Sequence, residues 1–172
     1  MHGVGVGVYT RGNVSGSFMQ PYVTDVPIPF YVEDSREGWA KVFEETMHSF
    51  IHGTHEYEFD YSDVRPKGAP IKSFGGKASG PEPLKLMVER LRTLYRANIG
   101  KTITRPMIVD TMNIIAACVV SGGVRRSAQI AFGPSDATEF LTLKQDTETL
   151  HAWRWASHNS VFAHVGMDYE EV

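Results

Sequence analysis

The stretch "FGGKASGPEP", residues 74–83, concentrates residue types that can bind an anion directly before a helical pattern. Ser79 and Glu82 have the spacing of a capping box, in which a serine caps the helix and a glutamate lies at its third position. Such a helix start presents unpaired backbone N–H groups and the positive end of the helix dipole, so it can hold a phosphate. Lys72 or Lys77 would add positive charge. The alternative is a capped helix after a loop, because the stretch matches neither the dinucleotide fingerprint nor the P-loop.

Two arginines form a second candidate anion site. Arg125 and Arg126 lie between a glycine pair and an apolar strand pattern in "SGGVRRSAQIAF". Because an unpaired arginine at the edge of a buried strand is costly, both need partners. The partner is either a bound anion or an internal carboxylate, and the residues alone leave both open. Lys144 is a further candidate for anion binding.

A third cluster of interest is "WRWASHNSV", in which two tryptophans flank Arg154 and are followed by His158 and Asn159. Aromatic rings can stack on a nucleobase, while a guanidinium and an amide can hydrogen-bond to it. The same composition also suits a corner of the core. We favour a loop between a helix that ends near Leu143 and a strand that begins near Asn159.

Other chemistry has weak support. His48 and His52 share a helix face, but no carboxylate follows with the spacing of a catalytic zinc site, so we expect no metal. Cys118 lies inside an apolar helix, where a buried, inert thiol is expected. No convincing Ser/His/Asp arrangement is present, and the residues alone identify no catalytic group.

The composition narrows the class of protein. The chain has 172 residues, 42% of them hydrophobic, which is enough for one domain with a core. A formal net charge of −3 gives no basic excess for nucleic-acid binding. A single cysteine fits a reducing compartment, no apolar run approaches the roughly 20 residues of a membrane span, and the start lacks a signal peptide. We therefore predict a cytoplasmic protein without membrane or nucleic-acid partners.

Alternating helical and strand patterns must position these residues and predict an α/β class. Strands are expected at "GVGVGV", "EYEFDYS", "SAQIAFG" and "NSVFAHV". The predicted helices run from Asp34, as N-cap, to Gly53; from Ser79 along the stripe Leu84, Met87, Val88, Leu91, Leu94 and Tyr95; from about Thr104 to Ser121; and from Ser135 to about Leu143.

Five stretches occur in an order and spacing similar to those of one protein family. They are "GVGVGV", "EDSREGW", "DYSDVRPKGAPIKSFGGKASGPEPL", "GGVRRSAQIAFG" and "LKQDTETLHAWRWASHNSV". In these stretches the chain resembles the adenosylcobalamin-dependent (class II) ribonucleotide reductases, particularly the monomeric ribonucleoside-triphosphate reductases. The resemblance implies part of a ten-stranded α/β barrel with helices packed on a partial sheet.

The resemblance also implies roles for residues. Within one domain of residues 1–172, residues 1–60 would be the effector-region-like part, with the helix from Asp34 to Ile51 near the regulatory deoxynucleotide. Residues 61–172 would contain the substrate site and the mobile loop. The substrate-binding residues would be Ala78, Ser79, Gly80 and Pro81. The effector and switch-loop residues would be Arg154, Trp155, Ser157, His158 and Asn159.

The chain departs from the family pattern in its cysteines. The family's Asn-Pro-Cys-Gly-Glu motif, which carries the radical cysteine, and its pair of reducing cysteines do not occur. We therefore expect an internal portion of a reductase, as a split-gene product, a fragment or a degenerate copy, that is inactive alone. In the complete enzyme the resemblance implies adenosylcobalamin, a ribonucleotide substrate, a deoxynucleotide effector, a thioredoxin-like reductant and the remaining reductase segments. The alternatives are a non-catalytic nucleotide-binding or regulatory module and a structural interaction domain.

Overall fold

Helices and strands alternate along the part of the chain that the structure, a computed structural model, describes: residues 5–10, 16–71, 75–121 and 127–168. In chain order they are β1 (Gly5–Tyr9), β2 (Ile28–Tyr31), α1 (Arg36–His52), β3 (Tyr57–Asp60), α2 (Glu82–Arg96), α3 (Arg105–Val120), β4 (Ala128–Gly133), α4 (Thr138–Leu141), α5 (Thr147–Ala152) and β5 (His158–Val161). Single 3₁₀ turns lie at Leu143–Gln145 and Arg154–Ala156. The predicted α/β class is confirmed. No helix within these ranges is long and apolar enough to cross a lipid bilayer.

The chain packs as two compact units. The first takes its described residues from 5–10, 104–120 and 127–168, and the second from 16–103 and 121. The beginning of the chain belongs with the C-terminal part because β1 pairs with β4. The prediction of one domain with functional parts that meet near residue 60 stays a prediction, and the unit boundaries lie elsewhere.

The first unit is built on a parallel sheet with strand order β1-β4-β5. One face packs against helices, with Val109, Ala131, Ala137, Phe140 and Leu143 as the buried cluster and Val161 beside it. Gly133 permits this packing, because a Cβ there would lie 2.5 Å from the Phe140 ring. The sequence pattern predicted β4 and α3 within one residue at each end.

The opposite face of this sheet carries a partly exposed aromatic cluster, which we call the aromatic face: Tyr9, Phe132 and Phe162. The Phe162 ring stacks on Phe132 and meets Tyr9 edge-on, with both centroid separations at 5.4 Å. Tyr9 is 49% exposed and Phe162 is 60% exposed. The unit therefore has helices on one side of its sheet and accessible aromatic rings on the other.

The second unit packs α1 and α2 with the parallel pair β2-β3. The predicted stripe of α2 is buried except at its edge, and Tyr95 stacks on Phe18 with centroids 4.4 Å apart. Glu56 forms ion pairs with Arg92 at 2.9 Å and Arg96 at 2.5 Å. Burial lowers the pKa of Arg92, although Glu56 acts in the opposite direction.

Three predicted helix starts differ from the structure, and the start of α2 is described with the candidate site below. Ser35, not Asp34, caps α1, because its side chain accepts a hydrogen bond from the amide of Gly38 at 2.9 Å. Asp34 instead binds the guanidinium of Arg65. The helix expected from Ser135 begins later, at Thr138, and gives way to a 3₁₀ turn before the end that was predicted.

Candidate functional site

The segment Ala78–Pro81 is held by hydrogen bonds to an adjoining strand. The amide of Ala78 donates to the carbonyl of Ala69 at 2.8 Å, and its carbonyl accepts from the amide of Gly68 at 2.9 Å. Residues 68–71 and 75–78 thus form a small hairpin, which we call the 68–78 hairpin. Residues 72–74, which include Lys72, lie outside the described residues. The hairpin delivers Ala78 to a defined position directly before α2.

The predicted capping box at this helix start is wrong. Helix α2 begins at Glu82 with Pro81 at its cap and without a side-chain cap. The hydroxyl of Ser79 lies 3.3 Å from the carbonyl oxygen of Gly80 instead. Pro81 and Pro83 have no N–H, so fewer amides are available to an anion than the capping box implied.

Gly80 determines the path of the chain here. Its φ of +78° is in the left-handed region, which side chains disfavour, and a Cβ would lie 2.9 Å from the backbone nitrogen of Lys67. Residues 67–70 are therefore the surface against which Ala78–Gly80 packs. The closeness of Lys67 was missed by local sequence reasoning, because 13 positions separate the two residues.

The second candidate cluster lies in the first unit and is built around a buried carboxylate. Asp110 Oδ1 accepts from Arg154 Nε at 2.6 Å and from Trp153 Nε1 at 2.8 Å, and Oδ2 accepts from Arg154 at 2.7 Å. The Arg154 side chain is 12% exposed and that of Asp110 is 6% exposed. Arg154 also donates to the carbonyl of Leu143 at 2.6 Å. These contacts favour the core-corner alternative for Trp153 and Arg154.

The other residues of this cluster differ in exposure. Trp155 is 53% exposed and His158 is also exposed, whereas Ser157 is buried. The Ser157 hydroxyl donates to the amide oxygen of Asn159 at 3.2 Å. Asn159 pairs with Ala131 on the helix-covered face of the sheet, and His158 pairs with Ile130 on the opposite one. The switch-loop roles of these residues stay a prediction.

Of the anion-binding candidates Arg125, Arg126 and Lys144, the structure describes Lys144 alone. Arg125 and Arg126 lie outside the described residues. Lys144 donates to the carbonyl of Ser157, and burial lowers the pKa of this ammonium. Lys144 therefore already serves to join the 3₁₀ turn at Leu143–Gln145 to the start of β5.

The histidines that were considered as metal ligands contact other aromatic rings, and the cysteine is buried. The His48 and His52 rings lie 4.5 Å apart on α1, and His55 meets Tyr22 edge-on. Within the described ranges, no group of three or more His, Cys, Asp or Glu side chains is placed to hold a metal ion. Cys118 is buried in α3.

Sequence reasoning missed Asp110 as the buried acceptor of this cluster, because its partner Arg154 lies 44 positions further along the chain. One signal was available: Asp110 is the single carboxylate of a mostly apolar helix, and a buried charge requires a partner. The arginine in "WRW" was the matching signal. Sequence reasoning named this arginine but not its carboxylate.

Comparison with known proteins gives consistent matches. The family model described as "B12-dependent ribonucleotide reductase, insertion domain" matches residues 10–95. The adenosylcobalamin-dependent ribonucleoside-triphosphate reductase of Euglena gracilis is 42% identical over 99% of this chain and 24% of its own length. A probable enzyme of the same name from Dictyostelium discoideum is 46% identical over 83% of this chain and 19% of its own.

A solved structure is similar as well. The crystal structure of a B12-dependent (class II) ribonucleotide reductase superposes with a TM-score of 0.70 at 29% identity, over 93% of this chain and 24% of that one. The α/β fold thus matches part of a class II reductase. The chain spans about a quarter of the length of the Euglena relative.

Proposed function

The chain belongs to the B12-dependent ribonucleotide reductases, and on this premise we propose that it supplies nucleotide-contacting segments to such an enzyme. The complete enzyme reduces ribonucleotides to deoxyribonucleotides by radical chemistry. The names of the relatives favour a ribonucleoside triphosphate as the substrate and adenosylcobalamin as the cofactor. A deoxynucleotide effector, a thioredoxin-like reductant and the remaining reductase segments are the other proposed partners.

The substrate contact is proposed at Ala78–Pro81. The observation that carries this proposal is the fixed backbone of the segment: both backbone polar groups of Ala78 bond to Gly68 and Ala69, and Gly80 has a left-handed conformation. Gly80 itself is buried against Lys67, whereas Ser79 and Pro81 on either side of it are half-buried. The accessible part of Ser79 and Pro81, rather than a side-chain cap, would meet the ribose or phosphate.

The effector-coupling segment is proposed at residues 145–159. Asp110 and Leu143 fix Arg154 at its base, whereas Trp155 and His158 remain exposed. The anchor would thus be Arg154, and the exposed residues would respond to a nucleotide. Two sites coupled in this way typically share a coupling free energy of about 1–3 kcal/mol.

The chemistry of reduction would come from other parts of the enzyme. Cys118 is the one cysteine of the sequence, and it is one of the buried residues of α3. A thiol in this position does not fit a radical that must reach a ribose. We propose that the remaining reductase segments hold adenosylcobalamin, and we assign none of its contacts to this chain.

The aromatic face supports a role within a larger protein. Tyr9 and Phe162 expose large rings on the sheet face opposite the helices, and burial of such rings is strongly favourable. Remaining reductase segments would cover this face. Burial of apolar area gives roughly 25 cal/mol per Å².

A reductase assay tests the proposal. The 172-residue chain alone, with adenosylcobalamin and a dithiol, should form no deoxynucleotide. A chimera, in which this sequence replaces the matching quarter of the Euglena reductase, should form it. Turnover by the chain alone that is lost on Cys118→Ser would contradict the proposal, and so would an inactive chimera that folds and binds the cofactor.

A nucleotide-binding measurement separates the alternatives. Gly80→Ala in the chimera should raise the KM for ATP, because the added Cβ displaces the segment from residues 67–70. A regulatory module would bind nucleotide without any effect of Gly80→Ala on substrate KM. If the chain were an interaction domain, the 172-residue chain by itself would bind no nucleotide.

A further inference from the structure

Arg65 occupies a central place beside the substrate segment. Its Nε donates to the carboxylate of Asp34 at 2.5 Å, and its Nη1 donates to the carbonyl of Pro70 at 3.4 Å. Asp34 lies directly before the cap of α1, and Pro70 lies in the 68–78 hairpin. A single guanidinium therefore joins the start of a helix to the strand that supports Ala78–Pro81.

Apart from the bond from Arg65, few contacts restrain residues 67–70, which support Ala78–Pro81. Residues 67–70 receive Ala78 through two hydrogen bonds and receive Gly80 by direct packing against Lys67. Lys67, Gly68 and Pro70 are exposed to solvent, so core packing does not hold them. Without Arg65, a turn from Pro66 to Ala69 and the hairpin bonds would be left to determine their position.

The guanidinium of Arg65 is chemically suited to hold Asp34 and Pro70 at fixed positions. A guanidinium has a rigid planar fork, so it can hold a carboxylate and a carbonyl at fixed directions, which a lysine ammonium cannot do. The pair is partly buried, with side-chain exposures of 37% for Arg65 and 29% for Asp34. A charge-assisted bond in such surroundings is stronger than a bond between neutral groups.

We propose that Arg65, anchored by Asp34, is a positioning residue that sets the place of Ala78–Pro81 for the substrate nucleotide. This inference rests on the proposed substrate contact at Ala78–Pro81. Arg65 does not touch the nucleotide; it fixes the strand on which the contacting segment lies.

The test measures KM and kcat for ATP in the chimeric reductase. Arg65→Ala should raise KM about tenfold and leave kcat within about twofold, because binding common to ground and transition state is lost. Arg65→Lys should raise KM by a smaller factor, since it keeps the charge and loses the fork. Asp34→Asn should also raise the KM for ATP.

A merely structural role gives a different result. Loss of folded enzyme reduces the active concentration, so kcat would fall while KM stayed unchanged. Equilibrium binding of ATP to the folded fraction provides a second readout that needs no turnover, and it should weaken with Arg65→Ala.

A matched control and Gly80→Ala make the outcomes distinguishable. Glu37→Gln breaks the neighbouring exposed pair with Arg36 and should change neither constant. Unchanged KM and ATP affinity in Arg65→Ala, with a raised KM in Gly80→Ala, would overturn the role of Arg65 alone. If Gly80→Ala also left KM unchanged, the proposed substrate contact itself would be wrong.

Discussion

Replacement of Arg154 by alanine should destabilise the first unit strongly. The change removes both guanidinium bonds to Asp110 and the bond to the Leu143 carbonyl, and it leaves a carboxylate in a site that is 6% exposed. Only the indole N–H of Trp153 remains among the bonds described for this carboxylate. Breaking a buried pair by removal of one partner costs about 3–5 kcal/mol. The free energy of unfolding should fall by that amount.

Urea unfolding, followed by circular dichroism, measures this change, and thermal unfolding supports it. At about 2–4 °C per kcal/mol for a chain of this size, the loss corresponds to a fall in Tm of about 6–20 °C. Glu139→Gln is the control, because Glu139 is 45% exposed in its pair with Arg105 and this pair should contribute at most about 1 kcal/mol.

A double-mutant cycle tests the assigned cause. Asp110→Asn removes the charge that Arg154→Ala leaves without its counter-ion, so the double variant should be more stable than the sum of the single effects predicts, by at least about 1 kcal/mol. A loss below about 1 kcal/mol in Arg154→Ala, or strict additivity in the cycle, would refute the reasoning. In that case Arg154 would be free to act as the moving part of a switch.

Three further outcomes are expected. Ser35→Ala should cost about 1 kcal/mol through the lost helix cap, whereas Ser79→Ala should change the free energy of unfolding by less than about 0.5 kcal/mol, and urea titration of both checks this contrast. Gly80→Ala should destabilise the second unit by about 1–3 kcal/mol, since φ is positive there and the Cβ meets backbone; a neutral effect would speak against that geometry. The pKa of Asp146 is lowered, chiefly because the Thr149 hydroxyl donates to it, so the stabilisation of α5 is complete above about pH 4 and lost as pH falls through the lowered pKa. Hydrogen exchange of α5 should show this loss, and Asp146→Asn, which retains a cap, should abolish its pH dependence.

Local pattern was sufficient for the long elements. The apolar stripe of α2 and the apolar run of α3 define their helices, because a repeat near 3.6 residues can bury one face only in that conformation. The strand pattern at "SAQIAFG" was equally clear, since buried positions alternate in β4. The family resemblance likewise depended on contiguous stretches and needed no tertiary information.

Helix starts were less well determined, since adjacent residues can serve as caps equally well. Asp34 and Ser35 are both good N-cap residues. In the structure Ser35 caps α1, whereas Asp34 binds Arg65, a residue 31 positions away. At α2, the positive φ of Gly80 and its contact with Lys67 moved the helix start to Glu82. In both cases a contact from another part of the chain decided between local options.

Long-range partnerships were decided by tertiary structure alone. The pairing of β1 with β4 places the start of the chain beside its C-terminal part, and Asp110 meets Arg154 across 44 positions. The sequence indicated that a carboxylate in an apolar helix and an arginine between tryptophans each needed a partner. It could not indicate that they were each other's partner, because the free energy of a buried ion pair depends on the distance and desolvation of the two groups, and only the folded chain sets both.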